Sequence, residues 1–270
     1  MPSHPSPTAA RTRAGALLAS VAALVSLGAL HPAPAAAASA PAASPHATAA
    51  VLDLDGAGRT PVVQGEDSAY DTASIVKVDI LAALLLQAQD AGRQLTADER
   101  GHAEPMIERS DNTAADALWR QIGQASGLAA ANKRLGLTST TGGPGVKWGL
   151  TRTTASDQIR LLRAVFDGDA SAASGSPALT AGSRSYIRSL MGQVIPEQTW
   201  GVSAAGGADA PRVLKNGWLQ RNTSGLWDVN SVGQITVKGH RYLIAVLSNG
   251  SASMSDGISL VERTARQALA

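Results

Sequence analysis

The sequence contains no cysteine among its 270 residues. This absence excludes disulfide bonds, thiolate metal sites and cysteine nucleophiles, and it leaves no thiol that a lipid could modify. The five histidines are isolated from one another and lack the spacing of zinc ligands, so we expect neither a metal nor a cofactor. No Gly-x-Ser-x-Gly segment is present, which excludes a serine–histidine–aspartate triad built on that motif.

Acidic residues are missing from the first 50 positions, where Arg11 and Arg13 are the only charged side chains. They precede an apolar run from Ala14 to Leu30 and a group of small residues from Ala35 to Ala40. This order is typical of a secretory signal peptide. A retained membrane span is the alternative, but the run is short for one and its Ala- and Pro-rich continuation favours cleavage. We therefore assign residues 1–40 to a signal peptide and expect a secreted or cell-envelope protein with no stable membrane anchor.

The rest of the chain carries 21 acidic and 21 basic residues, so its net charge is close to zero. No cluster of Lys and Arg indicates a nucleic-acid partner. Residues 41–47 are rich in Pro, Ala and Ser and predict a linker. Residues 48–270 are expected to form one domain, and we expect a monomer.

Hydrophobic patterning divides this domain into strand-rich ends and a helical middle. We predict a hairpin over residues 49–64 and three later strands at Val213 to Leu219, Trp227 to Val237 and Tyr242 to Ser248. Helices are predicted at Met106 to Gly123, Leu128 to Leu137, Thr154 to Asp167 and Ala181 to Gln193, with a last helix capped at Ser255-Asp256. The expected fold class is α+β, an antiparallel sheet flanked by helices (an α/β lobe from 48–72 and 200–270) with an inserted all-helical lobe at 73–199.

A strongly apolar segment from Ile80 to Leu86 predicts a helix that crosses the core, and the first turn of that helix carries Ser74 and Lys77. Residues three apart on a helix share one face, with Cβ atoms roughly 5–6 Å apart, so the Lys77 amine is within reach of the Ser74 hydroxyl. Burial can lower the pKa of a lysine until its neutral amine takes the proton of a serine. Taken alone, such a pair is more often a solvated first turn, here with Asp71 or Thr72 as the cap.

A second polar motif, Ser110-Asp111-Asn112, precedes a helical start. Its plain interpretation is an N-cap, because Ser, Asp and Asn are the preferred residues there. Its chemical interpretation gives Ser110 a hydroxyl that carries protons near Ser74, and gives Asn112 an amide that binds a substrate.

A third motif, Lys215-Asn216-Gly217, contains the Asn-Gly pair of a common hairpin turn. The apolar residues on both sides continue a strand through that pair instead. Lys215 on such a strand could hold a substrate carboxylate. The N–H of Trp218 could complete an oxyanion hole with the N–H of Ser74.

Ser-x-x-Lys, Ser-Asp-Asn and Lys-(Thr)-Gly in this order are the signature of the penicillin-recognising serine enzymes. The sequence resembles the class A β-lactamases in particular, from the first hairpin to the terminal helix, including residues 110–115 and 150–154. Two of only five lysines fall in these motifs. The resemblance implies a β-lactamase/DD-peptidase-like fold. It also implies that the substrate is a small-molecule β-lactam or a cell-wall peptide.

The resemblance also implies a role for each motif residue. Ser74 would attack the carbonyl and form an acyl-enzyme, with Lys77 as base or proton relay. Ser110 would pass a proton to the leaving nitrogen, and Lys215 would pair with the substrate carboxylate. The residues expected to bind substrate are Asn112, Asn216, Gly217 and Trp218.

Three features depart from the family pattern. Class A enzymes activate the deacylating water with a glutamate on a loop between the second and third motifs, whereas Thr138 to Leu150 contains no acid. Asn216 replaces the usual Thr or Ser. Ser110 follows Ser74 by only 36 positions, which we expect to shorten one wall of the cleft. We therefore expect slow deacylation.

Two alternatives stay open. The missing glutamate favours a penicillin-binding DD-peptidase or esterase-like enzyme. A non-catalytic binder of β-lactams or peptidoglycan is the other, although a binder would not need the Ser74 nucleophile.

Gly142 to Lys147 lacks the spacing of a phosphate-binding loop, and we interpret it as a surface loop.

Overall fold

The two ends of the chain form one antiparallel sheet of five strands in the order β2-β1-β7-β6-β5. A separate two-stranded ladder joins β3 to β4. The seven strands are β1 (His46–Asp53), β2 (Val62–Gln64), β3 (Tyr70–Asp71), β4 (Arg152–Thr153), β5 (Val213–Gln220), β6 (Trp227–Val237) and β7 (His240–Ser251). The computed structural model describes residues 44–57, 59–168, 177–207 and 210–270. The predicted signal peptide lies outside the described residues.

Seven helices accompany the strands in this described part of the chain, and six of them lie in sequence between β3 and β5. They are α1 (Val76–Asp90), α2 (Ala97–Glu108), α3 (Asn112–Gln121), α4 (Gln124–Leu135), α5 (Ala155–Phe166), α6 (Ala181–Met191) and α7 (Met254–Ala268). None of these helices has both the length and the apolar character needed to cross a bilayer.

Alternation along the strands gives the sheet two apolar faces, because successive side chains of a strand point to opposite sides. On β1, Ala50 and Leu52 join the core shared with α1 to α6. Ala49 and Val51 join the second core, against which α7 packs with Val261. The sheet therefore lies between α7 on one side and the other helices on the other, which confirms the α+β prediction.

Helix α1 is the centre of the larger core, as predicted. Twelve of its residues are buried, from Val76 to Ala88, and its apolar character all round is typical of a helix surrounded by protein. A 3₁₀ turn, Ala73–Ile75, leads into it. Neither candidate cap acts through its side chain: Thr72 makes no capping hydrogen bond, and Asp71 pairs with Arg152 and Arg221.

Several predicted boundaries were wrong. The single helix expected at Met106 to Gly123 is divided between α2 and α3, since the backbone turns at 109–111. Thr96 and Glu99 form a capping box that starts α2. Strand β1 already includes His46, which pairs with Asn249, so the linker expected over 41–47 is shorter than predicted. Helix α7 is capped by Ser253, two residues before the expected cap.

The core also contains an ionisable group that the sequence did not single out. Asp79 lies on α1 and is 1% exposed. The Asn132 amide, oriented to suit its neighbours, donates to both carboxyl oxygens of Asp79 at 3.1 and 3.2 Å. Burial, with a smaller contribution from the charge of Asp157, raises the pKa of Asp79 to about 8. The carboxyl group is therefore mostly protonated at neutral pH.

The Asp79→Asn variant is expected to be more stable than the parent at alkaline pH. Between about pH 4 and pH 8 the folded chain binds a proton at Asp79 that the unfolded chain has released, so the free energy of unfolding falls as pH rises. Asn cannot ionise, and we expect a gain of roughly 2–5 kcal/mol at pH 9 with little gain at pH 4. Thermal unfolding of both proteins across this range checks it, with Asp90→Asn at the exposed end of α1 as the matched control. Parallel stability curves for the parent and Asp79→Asn would contradict the assignment.

Candidate active site

Ser74 lies in the 3₁₀ turn that leads into α1, so the most buried helix of the fold fixes its position. Its side chain is partly exposed, and its hydroxyl has no hydrogen-bond partner among the described residues. The preceding Ala73 has a φ of +46°, a left-handed conformation that is unusual for a residue with a Cβ. The hydroxyl is thus presented at the end of a rigid element and is free to react.

Strand β5 runs directly against this turn. A Cβ built on Gly217 would lie 2.6 Å from the Ser74 backbone nitrogen and 2.8 Å from that of Ile75. No side chain fits in that space, so the third motif requires glycine here because two backbones meet. The backbones of the first and third motifs therefore lie against each other at this point.

The second motif lies in the break between α2 and α3. One of its three residues is the N-cap, and the other two are free for the chemical role. Asp111 is the N-cap of α3 and accepts from the Ala114 N–H at 2.7 Å. Ser110 adopts a φ of +58°, and Asn112 is the first residue of α3. Because the cap is provided by Asp111, the side chains of Ser110 and Asn112 remain available to the site.

Lys77 extends from α1 to this break. Its side chain is 0% exposed, and Nζ donates to the Ser110 carbonyl at 2.6 Å, to Ser110 Oγ at 3.1 Å and to Asn112 Oδ1 at 2.8 Å. The expected contact with Ser74 Oγ is not among these hydrogen bonds. The amine is instead held by Ser110 and Asn112 of the second motif.

Lys215 reaches the same hydroxyl from β5. Its Nζ donates to Ser110 Oγ at 2.9 Å and to the Asn216 carbonyl at 2.9 Å, and its side chain is also 0% exposed. Ser110 Oγ therefore lies between two lysine amines. A hydroxyl can accept from one amine while it donates to another that has lost a proton, so this arrangement can pass protons between the motifs.

Both amines are easier to deprotonate than ordinary lysines. Burial lowers the pKa of Lys77 to about 7, although the carboxylates of Asp111 and Asp116 act in the opposite direction. Burial also holds the pKa of Lys215 well below its usual range, and the neighbouring charge of Lys77 adds to this. Two ammonium ions on one buried hydroxyl are unfavourable, so one amine is available as a base.

The remaining predicted residues occupy distinct surroundings. Asn216 is fully buried, and its amide nitrogen donates to the carbonyls of Gln198 and Trp200, each at 2.9 Å. Its Oδ1 has no partner, so only that oxygen is left for a substrate. The Trp218 ring is half-buried against the Trp200 ring, with centroids 5.9 Å apart.

A cleft of about 570 Å³ opens beside Asn112. The 142–147 loop, interpreted above as a plain surface loop, contributes Val146 and Lys147 to its wall, and residues 219–223 also line it. Two residues that the sequence analysis missed also line it, Asp116 on α3 and Trp148 at the end of the loop. The signal for Asp116 was its position four residues after Asn112, which places both on one helix face. No comparable signal marked Trp148.

No group of His, Asp or Glu side chains that could hold a metal ion occurs in the described ranges. The site thus consists of one free serine hydroxyl, a second hydroxyl and two buried amines. This combination is suited to acyl transfer through a serine ester, in which amines and hydroxyls move the protons.

A sequence model of the β-lactamase enzyme family matches residues 100–270, and the chain belongs to that family. Among curated relatives, LppW of Mycobacterium tuberculosis and of Mycobacterium bovis, a lipoprotein by name, is 34% identical over 123 residues. The aligned stretch covers 45% of this chain and only 39% of those relatives.

Solved structures show the same fold. A variant of PBP-A, captured as an acyl-enzyme with penicillin G, superimposes with a TM-score of 0.68 at 22% identity, over 83% of this chain and 90% of that one. The TLA-3 extended-spectrum β-lactamase superimposes with a TM-score of 0.68 at 16% identity, over 83% of this chain and 92% of that one. For a β-lactamase of Xanthomonas campestris the TM-score is 0.69 at 18% identity, over 83% of this chain and 90% of that one. The β-lactamase/DD-peptidase-like fold is therefore established.

Gly217→Ala should disturb the Ser74 turn. The new methyl group would meet backbone atoms of Thr72, Ser74 and Ile75 in the turn before α1, and small shifts of a reacting group typically cost about 10² in rate. We expect labelling of Ser74 by a serine-reactive fluorophosphonate probe to slow by about that factor, with a loss of roughly 1–3 kcal/mol in stability.

The matched control is Gly149→Ala, whose added Cβ would come no closer than 3.9 Å to Ala73. It should label at the parental rate. Equal rates for Gly217→Ala and the parent would show that β5 does not fix the nucleophile.

Proposed function

We propose that this protein is a secreted serine hydrolase that opens β-lactam rings through an acyl-enzyme on Ser74. The observation that carries the proposal is the position of Ser110 Oγ, 3.1 Å from Lys77 Nζ and 2.9 Å from Lys215 Nζ. Three motifs that are far apart in sequence meet at this one hydroxyl. Family membership and fold support the same class of chemistry.

In acylation, Ser74 Oγ adds to the carbonyl carbon of the β-lactam and its proton goes to the neutral Lys77 amine. The N–H groups of Ser74 and Trp218 are the proposed donors to the oxyanion. The ring C–N bond then breaks, and Ser110 delivers a proton to the leaving nitrogen. Lys215 carries the positive charge when a substrate carboxylate binds, because an opposite charge nearby favours the ammonium form.

Hydrolysis of the resulting ester is proposed to be slow. The loop at 138–150 carries no acid, and a positioned general base typically contributes about 10²–10⁴ in rate. This feature favours the second candidate function, a penicillin-binding DD-peptidase or esterase that acts on cell-wall peptide and stalls on β-lactams. The fold match to PBP-A is compatible with that candidate.

We infer a location at the cell envelope or outside the cell. The signal-peptide pattern at residues 1–40 and the lipoprotein name of the LppW relatives both favour it. None of the 270 residues is a cysteine to which a lipid could be attached.

The proposal is tested by mixing purified protein with a chromogenic cephalosporin and following absorbance and intact mass together. We expect a Ser74-dependent acyl adduct that forms quickly and decays slowly. Ser74→Ala should form none, whereas Ser185→Ala, an exposed serine on α6, should behave as the parent. Steady rapid turnover would favour an efficient β-lactamase, and the absence of any adduct or turnover would refute the proposal.

The acylation rate should rise with pH through about 7. Below this value Lys77 is protonated and cannot accept the Ser74 proton, whereas above it the amine is neutral. Burial of the amine lowers this midpoint, and the carboxylates of Asp111, the N-cap of α3, and of Asp116 on α3 act in the opposite direction.

Rapid-mixing measurements of adduct formation from pH 5 to pH 9 check this dependence. Lys77→Arg keeps the positive charge but cannot lose its proton, so it should be slower by about 10² or more at every pH. A flat profile for the parent would exclude Lys77 as the base.

A further inference from the structure

We propose that Trp148, held in place by Asp116, covers the Lys77 amine and keeps hydrolytic water away from the acyl-enzyme, so that Trp148 sets the lifetime of the adduct. This inference rests on the proposed function, because it concerns the fate of the ester formed on Ser74. On this account, slow hydrolysis of the ester has two causes. The loop lacks an acid that could activate water, and the Trp148 indole keeps water away from Lys77.

The geometry connects three groups in a row. The Trp148 indole N–H donates to Asp116 Oδ1 at 2.7 Å. The Trp148 ring lies over Lys77 Nζ, with 4.7 Å between the nitrogen and the ring centroid, well within the distance of a cation–π contact. The indole therefore contacts the carboxylate by its edge and the amine by its face.

Both anchors of this indole are rigid. Trp148 begins the 3₁₀ turn Trp148–Leu150, which is closed by hydrogen bonds from Leu150 N–H to the Lys147 carbonyl and from Thr151 N–H to the Trp148 carbonyl. The ring also packs against the main core. Asp116 lies one helical turn after Asn112 on α3, so neighbouring positions of one helix hold the Lys77 amine and the ring above it.

The contacts leave Lys77 little access to water. Its amine already has three hydrogen bonds to the second motif, and the ring covers a further side, which accounts for its 0% exposure. An aromatic face offers no strong acceptor for the protons of a water molecule. Asp116 lines the same cleft, but the indole contacts both Asp116 and Lys77 and occupies the space next to the amine.

Hydrolysis of the ester requires a water oxygen to add to the acyl carbon while one water proton is transferred to a base. The bond from that carbon to Ser74 Oγ then breaks, the serine hydroxyl regains a proton, and the product leaves as a carboxylic acid. Lys77 can accept the proton only if a water molecule reaches it. Removal of the indole from the amine should therefore shorten the life of the adduct.

The decisive comparison is between Asp116→Ala and Asp116→Asn. Both variants lose the carboxylate charge near Lys77, so any change they share in the pH dependence of acylation arises from charge. Asn keeps an oxygen that accepts from the indole N–H, whereas Ala does not. This comparison tests Asp116 as a positioning residue. We expect Asn at position 116 to preserve the adduct lifetime that Ala shortens.

The measurement uses full-length mature protein acylated with penicillin G and follows decay of the adduct by intact mass. We expect the lifetime in Asp116→Ala to fall on the order of tenfold, less than the 10²–10⁴ that a well-placed base supplies. Asp116→Asn should keep the long lifetime. Trp148→Phe, which retains an aromatic ring but loses the N–H, tests the same anchor if Asp116→Ala folds poorly, and its lifetime should also fall.

Each contrary result has a distinct meaning. Unchanged lifetimes in Asp116→Ala and Trp148→Phe would overturn the inference and leave the proposed function intact. A longer lifetime in Asp116→Asn would overturn it in favour of Asp116 as the water-activating base. If the parent forms no adduct on Ser74, the proposed function fails, and the inference fails with it.

Discussion

Two lysine amines buried against one serine hydroxyl are the constraint on which this site depends. Lys77 and Lys215 both donate to Ser110 Oγ, and neither side chain is exposed to solvent. Removing two ammonium ions from water and placing them together is unfavourable, so the protein stabilises a state in which one amine is neutral. The fold provides that environment by supplying each amine from a separate rigid element, α1 and β5, and the shared hydroxyl from the α2–α3 break.

Much of the fold could be predicted because its signals are local and strong. The apolar run from Ile80 to Leu86 predicted that α1 is a core helix, and the later strands predicted a sheet, whose two faces are both buried. The three site motifs could also be found from spacing and residue type. The predicted element boundaries were wrong where a polar side chain starts a new helix. Asp111 caps α3 and thereby divides the helix expected at Met106 to Gly123.

The rest of the site could not be predicted, because it depends on contacts between distant segments. Trp148 lies 71 positions after Lys77 in sequence, and nothing in its own segment indicates that its ring covers an amine. Gly217 was predicted to lie on a strand and bind substrate, but nothing in its own segment showed that the absence of a side chain lets β5 approach the Ser74 backbone. Asn216 was predicted to bind substrate, and its motif gave no sign that its amide nitrogen also holds the carbonyls of Gln198 and Trp200 while Oδ1 is left without a partner.

Direct titration of the lysines tests the central claim most sharply, since the chain has only five. Protein labelled with carbon-13 at lysine Cε would be followed by NMR from pH 5 to pH 11, with Lys77→Arg and Lys215→Arg used to assign the two signals. The account predicts that Lys77 has a pKa of about 7 and that Lys215 also has a pKa well below the ordinary lysine value. Five lysines that all titrate near the ordinary value of about 10.4 would contradict it, because no amine would then be neutral at physiological pH.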